Sequence, residues 1–235
     1  MADFSYDGDD LEVLSELPNY QQWILDSFRP HLRGCCWEIG AGLGAISALL
    51  LPHVERLHLV EPAPNLHRAL QRRFADQPRV TLHAGDAASF LADAAVPRPD
   101  CVVMVNVLEH IEDDAATLRA IRQRLPAGGQ LLLFVPALPF LFSRLDRELG
   151  HFRRYTRHNL RRLAEEAGFT IERLDYFDLL GILPWWLVNT LAGSTRFDPR
   201  ATRLYDRVGV PLTRSLEGLV SPPLGKNLLA CLTRT

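Results

Sequence analysis

Lysine is all but absent from these 235 residues: of 26 basic side chains only Lys226 is not an arginine. There is no basic excess either. Against 28 acids the bases leave a net charge of −2, so the chain lacks the electrostatic footprint of a nucleic-acid partner; pairs such as Arg153-Arg154 and Arg161-Arg162 are local. The four cysteines, Cys35, Cys36, Cys101 and Cys231, form no C-x-x-C pair, and three lie inside apolar runs. That predicts buried free thiols in a reducing compartment. No apolar run approaches the roughly twenty residues that cross a bilayer. Met1 to Asp10 is acidic and has no apolar core of a signal peptide, so a cytoplasmic chain is expected. His151 and His158 stand seven apart, no H-x-x-x-H or clustered carboxylate pattern occurs, and no metal is expected. Repeats and low-complexity tracts are missing as well.

What is present is an ordinary globular composition, 47% apolar and 23% charged, of a length that suits one domain over residues 1–235. Its most informative stretch is Glu38-Ile-Gly-Ala-Gly-Leu-Gly44, between the apolar run Cys35-Cys36-Trp37 and a helix-like run from Ala45. A second apolar run ends on Glu61 and Pro62. Strand, glycine turn and helix in that order let a backbone approach a ligand where a Cβ would block it. An acid closing the next strand can accept ribose hydroxyls. The spacing is G-x-G-x-G, not the G-x-G-x-x-G of a pyrophosphate site. Glu38 would oppose a pyrophosphate but suits an ammonium group. S-adenosylmethionine, with an ammonium, a sulfonium and a ribose but no phosphate, meets those conditions.

The chain alternates as an α/β protein. Helical spacing covers Ser15 to Leu32, with Tyr20, Trp23, Ile24 and Phe28 on one face. Strands are predicted at 35–39, 56–61, 79–84, 100–106, 130–135, 169–177 and 226–232, and helices at 44–52, 64–75, 113–125 and 159–167, the last stopped by Gly168. This pattern predicts a doubly wound, Rossmann-like, seven-stranded and mostly parallel sheet with an antiparallel last strand and helices on both faces. Residues 1–32 form an N-terminal helical lid, 33–178 the cofactor-binding core, 179–224 a helical insertion, and 225–235 the last strand.

Taken together, Glu38 to Gly44, Glu61-Pro62, Gly85-Asp86-Ala87, Asn106-Val107-Leu108-Glu109-His110-Ile111 and Leu125-Pro126-Ala127-Gly128-Gly129 resemble the motifs of class I S-adenosylmethionine-dependent methyltransferases. The resemblance covers about residues 30–178. It implies that Glu38 sits near the methionine ammonium. Gly40, Ala41, Gly42 and Gly44 would bring backbone against the methionyl and ribose parts, with Glu61 and Pro62 at the ribose. Asp86 and Ala87 would meet the adenine, and Asn106, Val107 and Leu108 the methionine side. The segment Gly150-His151-Phe152-Arg153-Arg154-Tyr155-Thr156 resembles a G-H-x-R-R-Y-T stretch of a bacterial small-molecule branch, in which it overlies the pocket mouth. Asn19 to Trp23 resembles the closing helix of that branch, which makes Tyr20 a candidate contact to the carboxylate or sulfonium.

Methyl transfer is an in-line displacement, and a base is needed only where the acceptor carries a proton to remove. His151 and His110 are the candidates. Arg153, Arg154 and Tyr155 are candidate contacts to an anionic acceptor, or else internal pairs that rigidify the segment. The apolar stretches 138–142 and 179–188, with Trp185, point to a hydrophobic or aromatic small-molecule acceptor methylated at oxygen, or to a homodimer interface. The alternatives are C- or N-methylation of a lipid- or glycan-linked acceptor at a membrane surface, a non-catalytic cofactor-binding domain, and an NAD-dependent oxidoreductase, which the glycine spacing and Glu38 disfavour. A nucleic-acid methyltransferase would want an N/D-P-P-Y/F-like motif where this chain has Asn106-Val107-Leu108-Glu109.

Overall fold

The computed structural model describes residues 16–196 and 198–235. Seven strands, β1 Cys35–Ile39, β2 Arg56–Glu61, β3 Val80–Ala84, β4 Cys101–Val105, β5 Gln130–Pro136, β6 Thr170–Phe177 and β7 Asn227–Thr233, form one sheet. Their order is β3-β2-β1-β4-β5-β7-β6. Pairs from β3 through to β5 are parallel, and β7 runs antiparallel between β5 and β6. The strands of the sequence reading are all present, including the reversed last one.

The central strands are buried on both faces because helices cover both. β1 shows the alternation: Trp37 and Ile39 point into one core, Cys36 into the other. The first core joins Met104, Leu131 and Leu133 to α4 (Ala87–Ala92), α5 (Asp114–Arg124) and α7 (Arg157–Glu166). The second joins Val103, Leu132 and Phe134 to α1 (Pro18–Phe28), α2 (Ala45–Leu50) and α3 (Pro64–Arg73). Burial of Trp37, Phe28 or Phe134, each fully enclosed, contributes about 2–3 kcal/mol apiece. All four cysteines are buried and free.

Local chemistry sets several ends. α7 begins at Arg157, two residues before its predicted start, because Thr156 and Asn159 form a capping box (Asn159 N to Thr156 Oγ1, 3.1 Å; Thr156 N to Asn159 Oδ1, 2.7 Å). Gly168, at φ +85°, ends it. α4 and the short α6 (Arg144–Glu148) have no counterpart in the sequence reading. Both are under two turns long, and their signals are the caps Asp86 and Ser143. α1 lacks a side-chain cap of its own. Asp206, far along the chain, serves instead, accepting from Asn19 N (3.3 Å) and Tyr20 N (2.9 Å). The part of the N-terminal lid before residue 16, and the acidic Met1 to Asp10, lie outside the described residues.

The insertion between β6 and β7 is helical. It comprises α8 (Ile182–Trp185), continued by a wider turn to Leu191, then α9 (Pro199–Leu204), a second wide turn, and α10 (Val210–Leu219). Asp178, wholly buried at φ +67°, fastens both of its ends. It pairs with Lys226 Nζ (2.9 Å) and accepts from Gly181 N (3.1 Å), Tyr20 Oη (3.2 Å) and Tyr205 Oη.

Candidate cofactor and acceptor site

Strand order reverses between β1 and β4, where β2 and β5 lie on opposite sides, and open α/β sheets bind ligands beyond the carboxyl ends of such strands. The loops leaving β1 and β4 meet there. Gly40 has φ +79°, and a Cβ added to it would overlap Val107 Cγ2. Glycine is required on both counts. Gly42 and Gly44 are likewise left-handed, at φ 55° and 76°. The result is a cradle of bare backbone.

Two carboxylates flank the cradle. Glu61, 5% exposed, closes β2; its Oε2 accepts from Gly42 N (2.8 Å) and its Oε1 from Ala63 N (3.0 Å). The glycine loop is therefore tied to the second-strand acid, which keeps further lone pairs for a ligand. Burial raises the Glu61 pKa, against the pull of those two amides. Glu38, at the end of β1, is 2% exposed, and its Oε2 has no hydrogen-bond partner. Burial pushes its pKa up to about 8, with Glu61 adding to the rise. A buried carboxyl with an unused oxygen is costly unless something occupies it. Ala41, buried, donates its N–H to Val60 O (3.1 Å). Pro62 is exposed beside the cradle.

Asp86 is the N-cap of α4, accepting from Ser89 N at 2.8 Å through Oδ1, and these hydrogen bonds lower its pKa. A ligand amino group would be left the second oxygen. Ala87 opens the helix. Val107 abuts the cradle at Gly40 and Asn106 before it is exposed at φ +53°, whereas the Leu108 side chain is wholly buried in the first core. Only the backbone of Leu108 is available to a ligand. The Tyr20 hydroxyl is spent internally: it donates to Asp178 and accepts from Asn227 Nδ2 (2.6 Å), and the ring packs edge-on against Trp23, Phe134 and Phe177.

After β4 and β5 a second cluster forms on the same edge of the sheet. His151 Nδ1 lies 3.0 Å from Asp146 Oδ1. Asp146 is wholly buried and also accepts from Arg154 Nε (2.8 Å), Arg154 Nη2 (3.2 Å), Ser143 N (2.8 Å) and Ser143 Oγ (2.7 Å). Burial alone would raise the Asp146 pKa, but the bonds from His151, Arg154 and Ser143 and the Arg154 charge hold it well below the carboxylate range. An acceptor-only carboxylate makes Nδ1 the protonated nitrogen of neutral His151 and leaves Nε2 as a base. His110 stands edge-on to His151, ring centroids 4.5 Å apart. His110 is exposed; partial desolvation of its ring, and then His151, lower its pKa. Near both is Glu109, wholly buried, with neither oxygen hydrogen-bonded and a pKa pushed by burial up to about 8. The sequence reading placed Glu109 in the fourth motif without giving it a role; the signal available was an acid directly before His110. Ligand atoms of Glu109, His110 and His151 lie within 4.8 Å of one another, close enough to share a cation. That geometry runs against the reading of no metal site from the spacing.

The three substrate candidates of the 150–156 segment turn inward. Arg154 is 4% exposed and forms a buried ion pair with Asp146. Arg153 pairs with Asp114 Oδ2 at 2.8 Å and reaches Glu112 O. Tyr155, 2% exposed, donates to Asp114 Oδ2 at 2.9 Å. Their polar groups build the loop and are not presented to an acceptor. Trp185 lies over the Arg154 guanidinium (4.5 Å) and donates Nε1–H to Leu141 O (3.1 Å).

Residues 18–174 match the methyltransferase domain family. The chain belongs to that family. An uncharacterized methyltransferase of Mycobacterium tuberculosis (strain ATCC 25618 / H37Rv) is 33% identical over 119 residues, which is 50% of this chain and 58% of that one. The ribosomal RNA small subunit methyltransferase A of Syntrophotalea carbinolica is 39% identical over 70 residues, 30% of this chain and 26% of that enzyme. The chain thus spans between a quarter and three fifths of these relatives. Among solved structures, the N-methyltransferase NodS of Bradyrhizobium japonicum WM9 with S-adenosyl-L-homocysteine superposes with a TM-score of 0.61 at 17% identity, over 97% of this chain and 93% of that one. The fold is thus one that methyltransferases use.

Proposed function

We propose that this chain is an S-adenosylmethionine-dependent methyltransferase acting at oxygen on an apolar small-molecule acceptor. The observation that carries the cofactor is the unpaired, buried Glu38 oxygen beside a glycine cradle anchored to Glu61. An ammonium fits that oxygen, and a phosphate does not. Glu61 would take the ribose hydroxyls and Asp86 the adenine amino group, while Gly40, Ala41, Gly42 and Asn106 line the methionyl side. S-adenosylmethionine supplies an electrophilic methyl group. The chain's own residues orient the acceptor against it, exclude water, and remove the acceptor's proton to His151 Nε2. Asp146 fixes the imidazole and stabilises it once protonated.

Glu38 makes cofactor binding depend on pH. Its pKa near 8 in the free protein falls when an ammonium is bound beside it, so binding at neutral pH releases a proton. Affinity for S-adenosylhomocysteine should rise with pH from about 6 to about 8, by at most about tenfold per unit, and then level off. Calorimetry across that range checks it, and a flat profile for the wild type would contradict the ammonium contact. Glu38→Gln should flatten the profile.

The base reading has its own test. Acceptors are first sought by S-adenosylhomocysteine release against long-chain and aromatic alcohols. With one in hand, His151→Ala should lower turnover by about 10²–10³-fold and leave cofactor affinity within about threefold. Turnover surviving within about threefold would remove His151 from the role. Chelators should leave the wild type unaffected; loss on chelation, restored by a divalent cation, would assign the Glu109–His110–His151 cluster to a metal.

A further inference from the structure

The insertion turns a large apolar surface away from the sheet. Leu183 is 60% exposed, Leu191 67% and Leu219 84%, with Leu204, Val208 and Leu212 each above half. Along the helical stretch 199–219, Asp206, Val210 and Thr213 form the buried side. Leu204, Val208 and Leu212 follow one another at four-residue steps on the side facing away. From Leu179 to Thr195 no side chain is ionisable.

Charge on this face is mostly positive. Arg196, Arg200, Arg203, Arg207 and Arg214 are all exposed, while of the acids Asp198, Asp206 and Glu217 only Asp198 is. Arg203 and Arg214 pair with Glu16 and Asp26. Arg196, Arg200 and Arg207 make no ion pair among the described residues. At about 100° per residue, Arg200 and Arg207 form a ridge bordering the apolar stripe. On a chain of net charge −2, this is a local cationic rim around an apolar field. A helix lying in a lipid headgroup layer has that build, with arginine stems able to reach up to phosphates. No helix of the described residues is long and apolar enough to cross a membrane. A second copy of the chain is the poorer occupant, since two-fold pairing would gather the unpaired arginines of both copies into one interface.

We propose that the 179–224 insertion seats this chain on an anionic lipid surface, and that the cleft at its root takes the hydrocarbon part of an acceptor drawn from that surface. Phe140, Leu179, Leu180, Ile182, Leu183 and Trp186 line an open cleft of about 400 Å³. Leu183 and Trp186 belong both to the cleft and to the exposed field, so a chain can pass from one to the other without crossing water. Trp185, next in the chain to Trp186 of the cleft wall, touches Arg154, which holds Asp146, which holds His151. The acceptor half of this proposal rests on the methyl-transfer reading; the docking half does not.

The test is flotation of the full chain with vesicles of equimolar phosphatidylcholine and phosphatidylglycerol, beside phosphatidylcholine alone. Trp emission and S-adenosylhomocysteine affinity are measured on the same samples. The wild type should float with the anionic vesicles, shift its emission to the blue, and release as salt is raised. Arg200→Glu/Arg207→Glu should lower partition about tenfold or more, and Leu191→Ser/Leu212→Ser by a similar factor, both with cofactor affinity unchanged. A wild type that stays unbound, or binds phosphatidylcholine equally well, overturns the proposal. So does a solution dimer that Leu191→Ser/Leu212→Ser splits, which would make the face a self-interface. Vesicle binding without any S-adenosylhomocysteine binding would uphold the docking and overturn the methyl-transfer reading instead.

Discussion

Asp146→Ala should cost about 3–5 kcal/mol of stability, more than a typical core truncation. The reason is Arg154. Its guanidinium is buried, and two of its nitrogens bond to Asp146, the third bond going to Ala137 O at 3.2 Å. Removing the carboxylate leaves a positive charge without a partner in a site water does not reach. Ser143, whose N–H and hydroxyl both donate to Asp146, loses its acceptor as well, and α6 loses the reciprocal half of its capping box. The control is Asp146→Ala/Arg154→Met, which removes both charges and should recover half or more of the loss. Urea unfolding of the two variants measures the difference. A single substitution that costs under about 1 kcal/mol would mean the pair is solvated and does not organise the loop.

Gly40→Ala has the second large effect. At φ +79° an L side chain costs about 1–2 kcal/mol, and the new methyl would strike Val107. Relief by moving the β4 loop would displace Asn106 and the segment that carries Glu109 and His110. We expect about 2–4 kcal/mol of destabilisation and a loss of affinity for S-adenosylhomocysteine of about a hundredfold. Val107→Ala added to Gly40→Ala should restore the part owed to overlap and leave the part owed to φ, so recovery is partial. Wild-type melting and wild-type affinity in Gly40→Ala would contradict the crossing of the two loops at this point.

Strands and their direction were legible because burial on both faces writes continuous apolar runs, as at Cys101 to Val105, and because Gly34, Gly85 and Gly128-Gly129 punctuate them. The cradle was legible for the same reason: positive φ at Gly40, Gly42 and Gly44 admits little besides glycine. What sequence could not show was how polar groups are spent. Arg154 and Tyr155 read either as ligand contacts or as internal pairs, and Tyr20 read as a ligand contact because Asn19 to Trp23 resembles a closing helix. Only the fold reveals that Asp146, Asp114 and Asp178 have already taken their donors. These partners lie 8, 41 and 158 residues away, and no local pattern encodes them. Glu109, named in the fourth motif, was given no role for the converse reason: its burial without a partner shows only in the fold. In the insertion, the apolar stretch announced itself, but which side faced the protein followed only from Asp206 reaching the start of α1.

The most direct test of the account is calorimetric titration of the wild type and Glu61→Ala with S-adenosylhomocysteine, with NAD as the control. Glu61 holds the glycine loop through Gly42 and would carry the ribose, so its removal strikes the cradle and the ligand together. The account predicts micromolar binding to the wild type, at least about tenfold weaker binding to Glu61→Ala, and none of NAD. Wild-type protein that ignores S-adenosylhomocysteine, or that binds NAD in its place, would contradict it.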